Sequence, residues 1–210
     1  MFTGIIKEQG IIKAIKSSGN IIEFNISCQE VFKSLNVGDS VSVNGCCLTI
    51  VNLDLSASTF KIQLTKETIN KTNFYGLKEG MVVNLEPALN FDGKIDGHIV
   101  TGHIDCTGRV LTVNSDDDNI IVKILFPEEY KYFIAPKGSI SVNGVSLTVI
   151  DSDINSFSFT LIPFTRDNTN LGLLKTADLV NLEVDLISRY IVNCLKHSDT
   201  LKLSGARGNK

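Results

Sequence analysis

The sequence lacks tryptophan altogether and has two methionines, four prolines and three histidines in 210 residues. With so little proline and only sixteen glycines, neither a collagen-like nor a linker-rich chain fits. No apolar run reaches the roughly 18 residues that a membrane-spanning helix needs. The start, Met1-Phe2-Thr3-Gly4-Ile5-Ile6-Lys7-Glu8, has neither the basic nor the long apolar region of a secretory signal. There is no CxxC motif, and the five cysteines (Cys28, Cys46, Cys47, Cys106 and Cys194) are odd in number. Free thiols in a reducing compartment follow, with a cytoplasmic location as the expectation. There is no basic excess either: the net charge is −3 and the pI about 5.6, unlike the usual nucleic-acid binder. What is present is a hydrophobic fraction of 43% against 20% charged, enough for a packed core. That fraction leans on Ile, Val, Leu and Phe, which favours strands.

The most informative feature is internal repetition. Ser40-Val41-Ser42-Val43-Asn44-Gly45-Cys46-Cys47-Leu48-Thr49-Ile50-Val51 matches Ser139 to Ile150 at seven of twelve positions. The stretch from Leu77 to Glu86 matches Leu174 to Glu183 at six of ten. Thr68, Thr72-Asn73 and Thr3-Gly4 are answered by Thr165, Thr169-Asn170 and Thr101-Gly102, always at an offset of 97 to 99. Such a period is the size of a small domain rather than of a solenoid repeat. The expected boundary is the turn-rich stretch from Asn90 to Gly97, which gives an N-terminal unit 1–97 and a C-terminal unit 98–185.

Within each copy the pattern is that of half-buried antiparallel strands. Residues 60–65 and 157–162 alternate apolar with polar, and Ile22, Phe24 and Ile26 share one face of another strand. Asp116-Asp117-Asp118-Asn119 reads as a solvated hairpin tip. Short strands broken by turns predict an all-β fold of closed barrels or sandwiches. The parity of the apolar positions flips across Asn143-Gly144, so a bulge or tight turn is expected there. That flip turns Ser146 and Thr148 outward, and Cys47 and Thr49 likewise, as walls of a shallow site on each copy. One substantial helix is expected over 186–197. Leu186, Ile187, Tyr190, Ile191, Cys194 and Leu195 form its stripe, which calls for a partner surface. The tail 198–210 lacks periodicity and is expected to be mobile.

Met1-Phe2-Thr3-Gly4-Ile5-Ile6, Asn44-Gly45-Cys46-Cys47-Leu48-Thr49, Gly97-His98 with Thr101-Gly102-His103-Ile104, and Gly144-Val145-Ser146-Leu147-Thr148 resemble the riboflavin synthase family, alpha-subunit type, over about residues 1–196. The resemblance implies tandem six-stranded antiparallel Greek-key barrels that bind lumazine, followed by a C-terminal helix. It implies conversion of two 6,7-dimethyl-8-ribityllumazine molecules into riboflavin and 5-amino-6-ribitylaminouracil, a four-carbon transfer without metal or organic cofactor. A homotrimer held by C-terminal helices, with sites between unlike barrels of neighbouring subunits, is implied as well. Association with lumazine synthase is a further expectation.

By motif, the resemblance places Gly4, Ile5 and Ile6 in one half-site with Cys47, Leu48, Thr49, Gln63, Leu64, Thr65, Lys66, Glu67 and Thr68, the last six along a strand end. The other half-site takes Gly102, His103, Ile104, Lys137, Ser146, Leu147, Thr148, Thr160, Leu161, Ile162, Pro163, Phe164 and Thr165. The apolar members equally suit a barrel core. His98 and His103 suit proton transfer or hydrogen bonding to the pteridine, since their context offers no metal-ligand spacing. Cys47 reads as nucleophile, proton donor or polarizable wall; Cys46 reads as core. Ser146 with Asp185 makes an activating pair, with Ser40 another hydroxyl, although Asp185 also suits a helix cap. Pro163-Phe164 departs from the family, which has Glu before Thr165, and removes a polar contact. A non-enzymatic lumazine or flavin carrier is the main alternative; a small-barrel nucleic-acid binder lacks its basic and aromatic stripes.

Overall fold

The structure is a computed structural model that describes residues 1–116 and 118–197. The expected mobile tail and Asp117 of the hairpin tip lie outside the described residues. The first copy contains β1 (Glu8–Ser18), β2 (Ile21–Ser27), β3 (Ser40–Val43), β4 (Cys46–Asp54), β5 (Thr59–Thr65) and β6 (Val82–Pro87), with α1 (Lys66–Lys71) between the last two. They close into an antiparallel barrel in the order β1-β2-β5-β4-β3-β6, sealed by pairing of β6 with β1. The alternation read in the sequence fixes the faces. Phe60, Ile62 and Leu64 of β5 fill the barrel, while Gln63 and Thr65 stand outside.

The second copy has β7 (Cys106–Asp116), β8 (Asn119–Leu125), β9 (Ser139–Val142), β10 (Val145–Thr148), β11 (Asp151–Ser152), β12 (Ser156–Leu161) and β13 (Leu179–Val184), with α2 (Pro163–Asn168) after β12. Its order, β10-β9-β13-β7-β8-β12-β11, repeats that of the first barrel. It corrects the expectation in one detail. The counterpart of β4 is split in two, so seven strands form a curled sheet rather than six a closed one. In β4 a bulge between Ile50 and Asn52 is spanned because three residues beyond it, Asn52 to Asp54, still pair with β5. In the second copy Asp151 and Ser152 pair in register beyond the irregularity, next to a single bond from the Ile150 amide to the Ser158 carbonyl, before the chain turns back at Asp153. Helix α3 (Leu186–Lys196) follows β13, capped by Asp185, whose side chain accepts from the Ile187 N–H.

The parity flip in each copy is a two-residue hairpin turn. Asn44 and Gly45 have φ of 46° and 80°, and Asn143 and Gly144 of 46° and 82°. Positive φ at both central residues is the type I′ signature of Asn-Gly. The two turns meet at a pseudo-twofold axis between the copies. A Cβ on Gly45 would stand 2.7 Å from the Gly144 nitrogen, and one on Gly144 equally close to the Gly45 nitrogen. Six asparagines, four of them in the repeat blocks, bind the copies around this contact. Asn84 Nδ2 donates to the Asn143 carbonyl and Asn181 Nδ2 to the Asn44 carbonyl, both at 2.9 Å. Their side-chain oxygens accept from the amides of Asn170 at 2.7 Å and Asn73 at 2.6 Å. Phe2 and Val100 add a reciprocal backbone bridge across the same axis.

Asn84 and Asn181 are fully buried. Asn84→Ala would strand the Asn143 carbonyl and the Asn170 amide without partners. At about 1–3 kcal/mol per unsatisfied group the expected loss is roughly 2–6 kcal/mol, read as a lower urea midpoint; an unchanged midpoint would deny the network that role.

Candidate functional site

Each barrel is preceded by a short leader, residues 2–7 and 99–105, and the leaders cross to the opposite copy. The Cys47 amide donates to the Gly102 carbonyl at 2.8 Å, and the Ser146 amide to the Gly4 carbonyl at 2.8 Å. Ile6 packs on the second core and Ile104 on the first. This overturns the expected grouping of Gly4, Ile5 and Ile6 with Cys47. The cause is the antiparallel Phe2–Val100 bridge, which sends each leader across the axis before its own barrel begins.

A buried carboxylate locks each leader. Glu86 accepts from the Thr3 amide and hydroxyl and the Gly4 amide at 2.7–3.0 Å. Glu183 holds Thr101 and Gly102 in the same way at 2.7–2.9 Å. Burial pushes both carboxyls above the ordinary range, and the donated hydrogen bonds oppose it. Neither glutamate was singled out by sequence as a site residue. The available signal was their identity at matching positions in two strands whose neighbouring residues, Leu85 and Leu182, are apolar.

The first cradle contains Gly102, His103 and Ile104 beside the outward-facing Cys47 and Thr49. Ser40, opposite Thr49 in the β3–β4 register, shares that face. Gln63 and Thr65 stand outside the neighbouring β5. Lys66, Glu67 and Thr68 do not continue the strand, as was expected, but form the first turn of α1. The Thr65 hydroxyl accepts from the Thr68 amide and starts that helix.

The second cradle contains Gly4, Ile5 and Ile6 beside Ser146 and Thr148, with exposed Ile162, Pro163 and Phe164 at the start of α2. Thr160 and Thr165 are half-buried at either side of that start. Lys137 takes φ of 65° where the first copy has Gly38, and its amide donates to Val149. A non-glycine residue in the left-handed region is uncommon, and Lys137 shares it with Asn44, Ser58, Asn143 and Ala177. Leu48, Leu64, Leu147 and Leu161 belong to the two cores. Cys46 is also core, and burial raises its thiol to about 12.

The histidines part company. His103 is exposed in the first cradle, while His98 lies in the second, its Nδ1 2.7 Å from Ser146 Oγ. Ser146 is therefore joined to His98 rather than to Asp185, the expected pair, because Asp185 is engaged as the cap of α3. His98 comes from the linker between the copies and has no counterpart in the first. Its close approach depends on Gly97, where a Cβ would fall 2.2 Å from the Thr3 carbonyl and within 3 Å of Ser146. Burial pushes the His98 imidazole below its usual 6.5, with the Asp185 carboxylate acting the other way. In the tautomer with Nδ1 unprotonated, the neutral ring accepts from the Ser146 hydroxyl, the arrangement of a hydroxyl with its base; in the other tautomer Nδ1 donates to Oγ. Among the described residues no group of three or more His, Cys, Asp or Glu converges as metal ligands would. No described helix is long and apolar enough to cross a membrane.

Comparison with known proteins finds the same duplication. A family model described as the lumazine binding domain matches residues 3–88 and again 101–185. The riboflavin synthase of Actinobacillus pleuropneumoniae is 39% identical over 191 residues, 91% of this chain and 88% of that protein. That of Photobacterium phosphoreum is 38% identical over 196 residues, 93% of this chain and 89% of its own. Among solved structures, LumP complexed with riboflavin superposes with a TM-score of 0.82 at 28% identity, covering 88% of this chain and 99% of LumP.

Because the folded His98 prefers the neutral form, its contribution to stability is present above pH 6.5 and is lost as the pH falls through the lowered folded value. Nuclear magnetic resonance titration of His98 should give a midpoint below 6.5, and Asp185→Asn should move it lower still. A midpoint above 6.5 would contradict burial as the controlling influence.

Proposed function

The chain belongs to the riboflavin synthases, a family of paired lumazine-binding repeats, and from that premise we propose how its two unlike cradles divide the work. The enzyme converts two 6,7-dimethyl-8-ribityllumazine molecules into riboflavin and 5-amino-6-ribitylaminouracil, a transferase reaction that moves a four-carbon unit from one molecule to the other. Two like substrates call for two like cradles, and different roles call for differences between them. The observation that carries this reading is the repeated glycine-carbonyl contact, Gly102 to Cys47 and Gly4 to Ser146, with different chemistry around each.

The second cradle has a hydroxyl with a base at hydrogen-bond distance. Ser146 Oγ adds to C7 of the lumazine held there, the π bond at C7 opens and its electron pair moves into the conjugated heterocycle, and His98 Nδ1 takes the hydroxyl proton. Thr148 and Lys137 line that cradle, while Phe164 gives the ligand an apolar rim where Glu67 and Lys66 of the first copy are polar. In the first cradle His103, Cys47, Ser40 and Thr49 face a lumazine whose C7 methyl must lose a proton. Holding the two heterocycles together converts a bimolecular encounter into a positioned one, worth several kcal/mol of barrier, on the order of 7–11 at best.

The exposed stripe Ile187, Tyr190, Ile191 and Leu195 of α3 supports a homotrimer in which the first cradle of one subunit faces the second of its neighbour; each of these residues is more than half exposed. The cytoplasm and a complex with lumazine synthase complete the proposal. LumP, solved with lumazine and with riboflavin, favours a second reading, a carrier without turnover. The Ser146–His98 pair, which mere binding does not require, speaks for the enzyme.

Purified protein given the lumazine alone should develop flavin absorbance; bound lumazine with no flavin formed would establish the carrier. Ile187→Glu with Ile191→Glu should turn the trimer into monomers by sedimentation and abolish turnover while lumazine binding persists. An intact trimer would contradict the role given to α3.

A further inference from the structure

Helix α3 is fastened to the second copy by an ion pair that the two-cradle reading does not use. Arg189 Nη2 donates to Asp105 Oδ2 at 2.9 Å, and the same oxygen accepts from the Val184 amide at 2.9 Å. The Asp105 side chain is only 9% exposed. Its carbonyl accepts from the Tyr130 hydroxyl at 2.9 Å. Asp105 is also the last residue of the leader that carries Gly102, His103 and Ile104.

The first copy provides an internal control. Position 105 corresponds to Lys7 at the offset of the leaders. The backbone bond is the same in both, Asp105 N to Leu182 O and Lys7 N to Leu85 O, at 2.9 and 3.0 Å. The acid is therefore not needed to start the strand. It is present in the copy that is followed by a helix and replaced by a cation in the copy that is not. Two donors on a carboxylate so far from water mark a specified contact rather than an incidental surface pair.

We propose that the Asp105–Arg189 pair is a positioning strut that ties the pose of α3 to the His103 leader, so that the helix and the first cradle are set together. The inference rests on the reading of the cradles given above. Asp105 and Arg189 touch no substrate; they act through the leader and the helix.

The test uses full-length Asp105→Asn, Arg189→Met and Arg189→Lys. Asp105→Asn and Arg189→Met should lower kcat roughly ten- to a hundred-fold with little change in KM, as misplacement of a catalytic group does. Arg189→Lys, which keeps the charge, should recover most of that loss. Amide hydrogen exchange over 186–196 should quicken in the first two variants while the strands stay protected. Wild-type kcat and exchange in Asp105→Asn and Arg189→Met would overturn the strut. So would a loss in Arg189→Lys as large as in Arg189→Met, or general melting of the strands. If the wild-type protein makes no flavin, the two-cradle reading fails, and exchange over α3 alone decides the strut.

Discussion

Everything in this molecule depends on two Asn-Gly turns meeting backbone to backbone. A glycine at each turn is required twice over, by the left-handed φ and by the absence of room for a Cβ. The contact leaves backbone carbonyls and amides at the axis that water cannot reach. Asparagine is suited to fill such a place, since its amide both donates and accepts. Asn84 and Asn181 each satisfy one turn carbonyl and one amide of the following segment, so the two copies are pinned in a single orientation.

From that orientation the exchange of leaders follows. Phe2 and Val100 are bridged across the axis, and each leader then passes over the other copy's outward strand before joining its own barrel. Each cradle is thus a joint product of both repeats. Duplication makes the cradles alike in backbone, with glycine carbonyls and carboxylate locks at equivalent places. Divergence makes them unlike in chemistry. His103 stands where the second cradle has Ile5, Ser146 where the first has Cys47, and Phe164 where the first has Glu67. His98 belongs to one cradle only, because the linker that supplies it occurs once.

Much of this was legible in the sequence. The strand alternation of β5 and β12, the parity flip at Asn143, the helical stripe from Leu186 and the repeat itself all follow from periodicity, which local sterics and burial impose directly. The outward pairs Cys47/Thr49 and Ser146/Thr148 followed from the flip. What was not legible depends on how one copy sits on the other. The transfer of Gly4, Ile5 and Ile6 to the Ser146 cradle, and the pairing of Ser146 with His98 instead of Asp185, arise from contacts between residues far apart in sequence. The asparagine network had a signal, the recurrence of Asn44, Asn73 and Asn84 at the repeat offset, but polar identity alone does not announce burial. The split of β10 from β11 reflects a hairpin shorter than its counterpart, a difference of a few residues that alternation does not resolve.

The central claim is that each lumazine lies between a leader of one copy and the outward strands of the other. A crystal structure of the protein with lumazine bound tests it most directly. The predicted result is one ligand touching Cys47 and Thr49 together with the Gly102–Ile104 leader, and another touching Ser146 and Thr148 together with Gly4, Ile5 and His98. A ligand spanning Cys47 and the Gly4 leader within one protomer, or lodged inside a barrel, would contradict it.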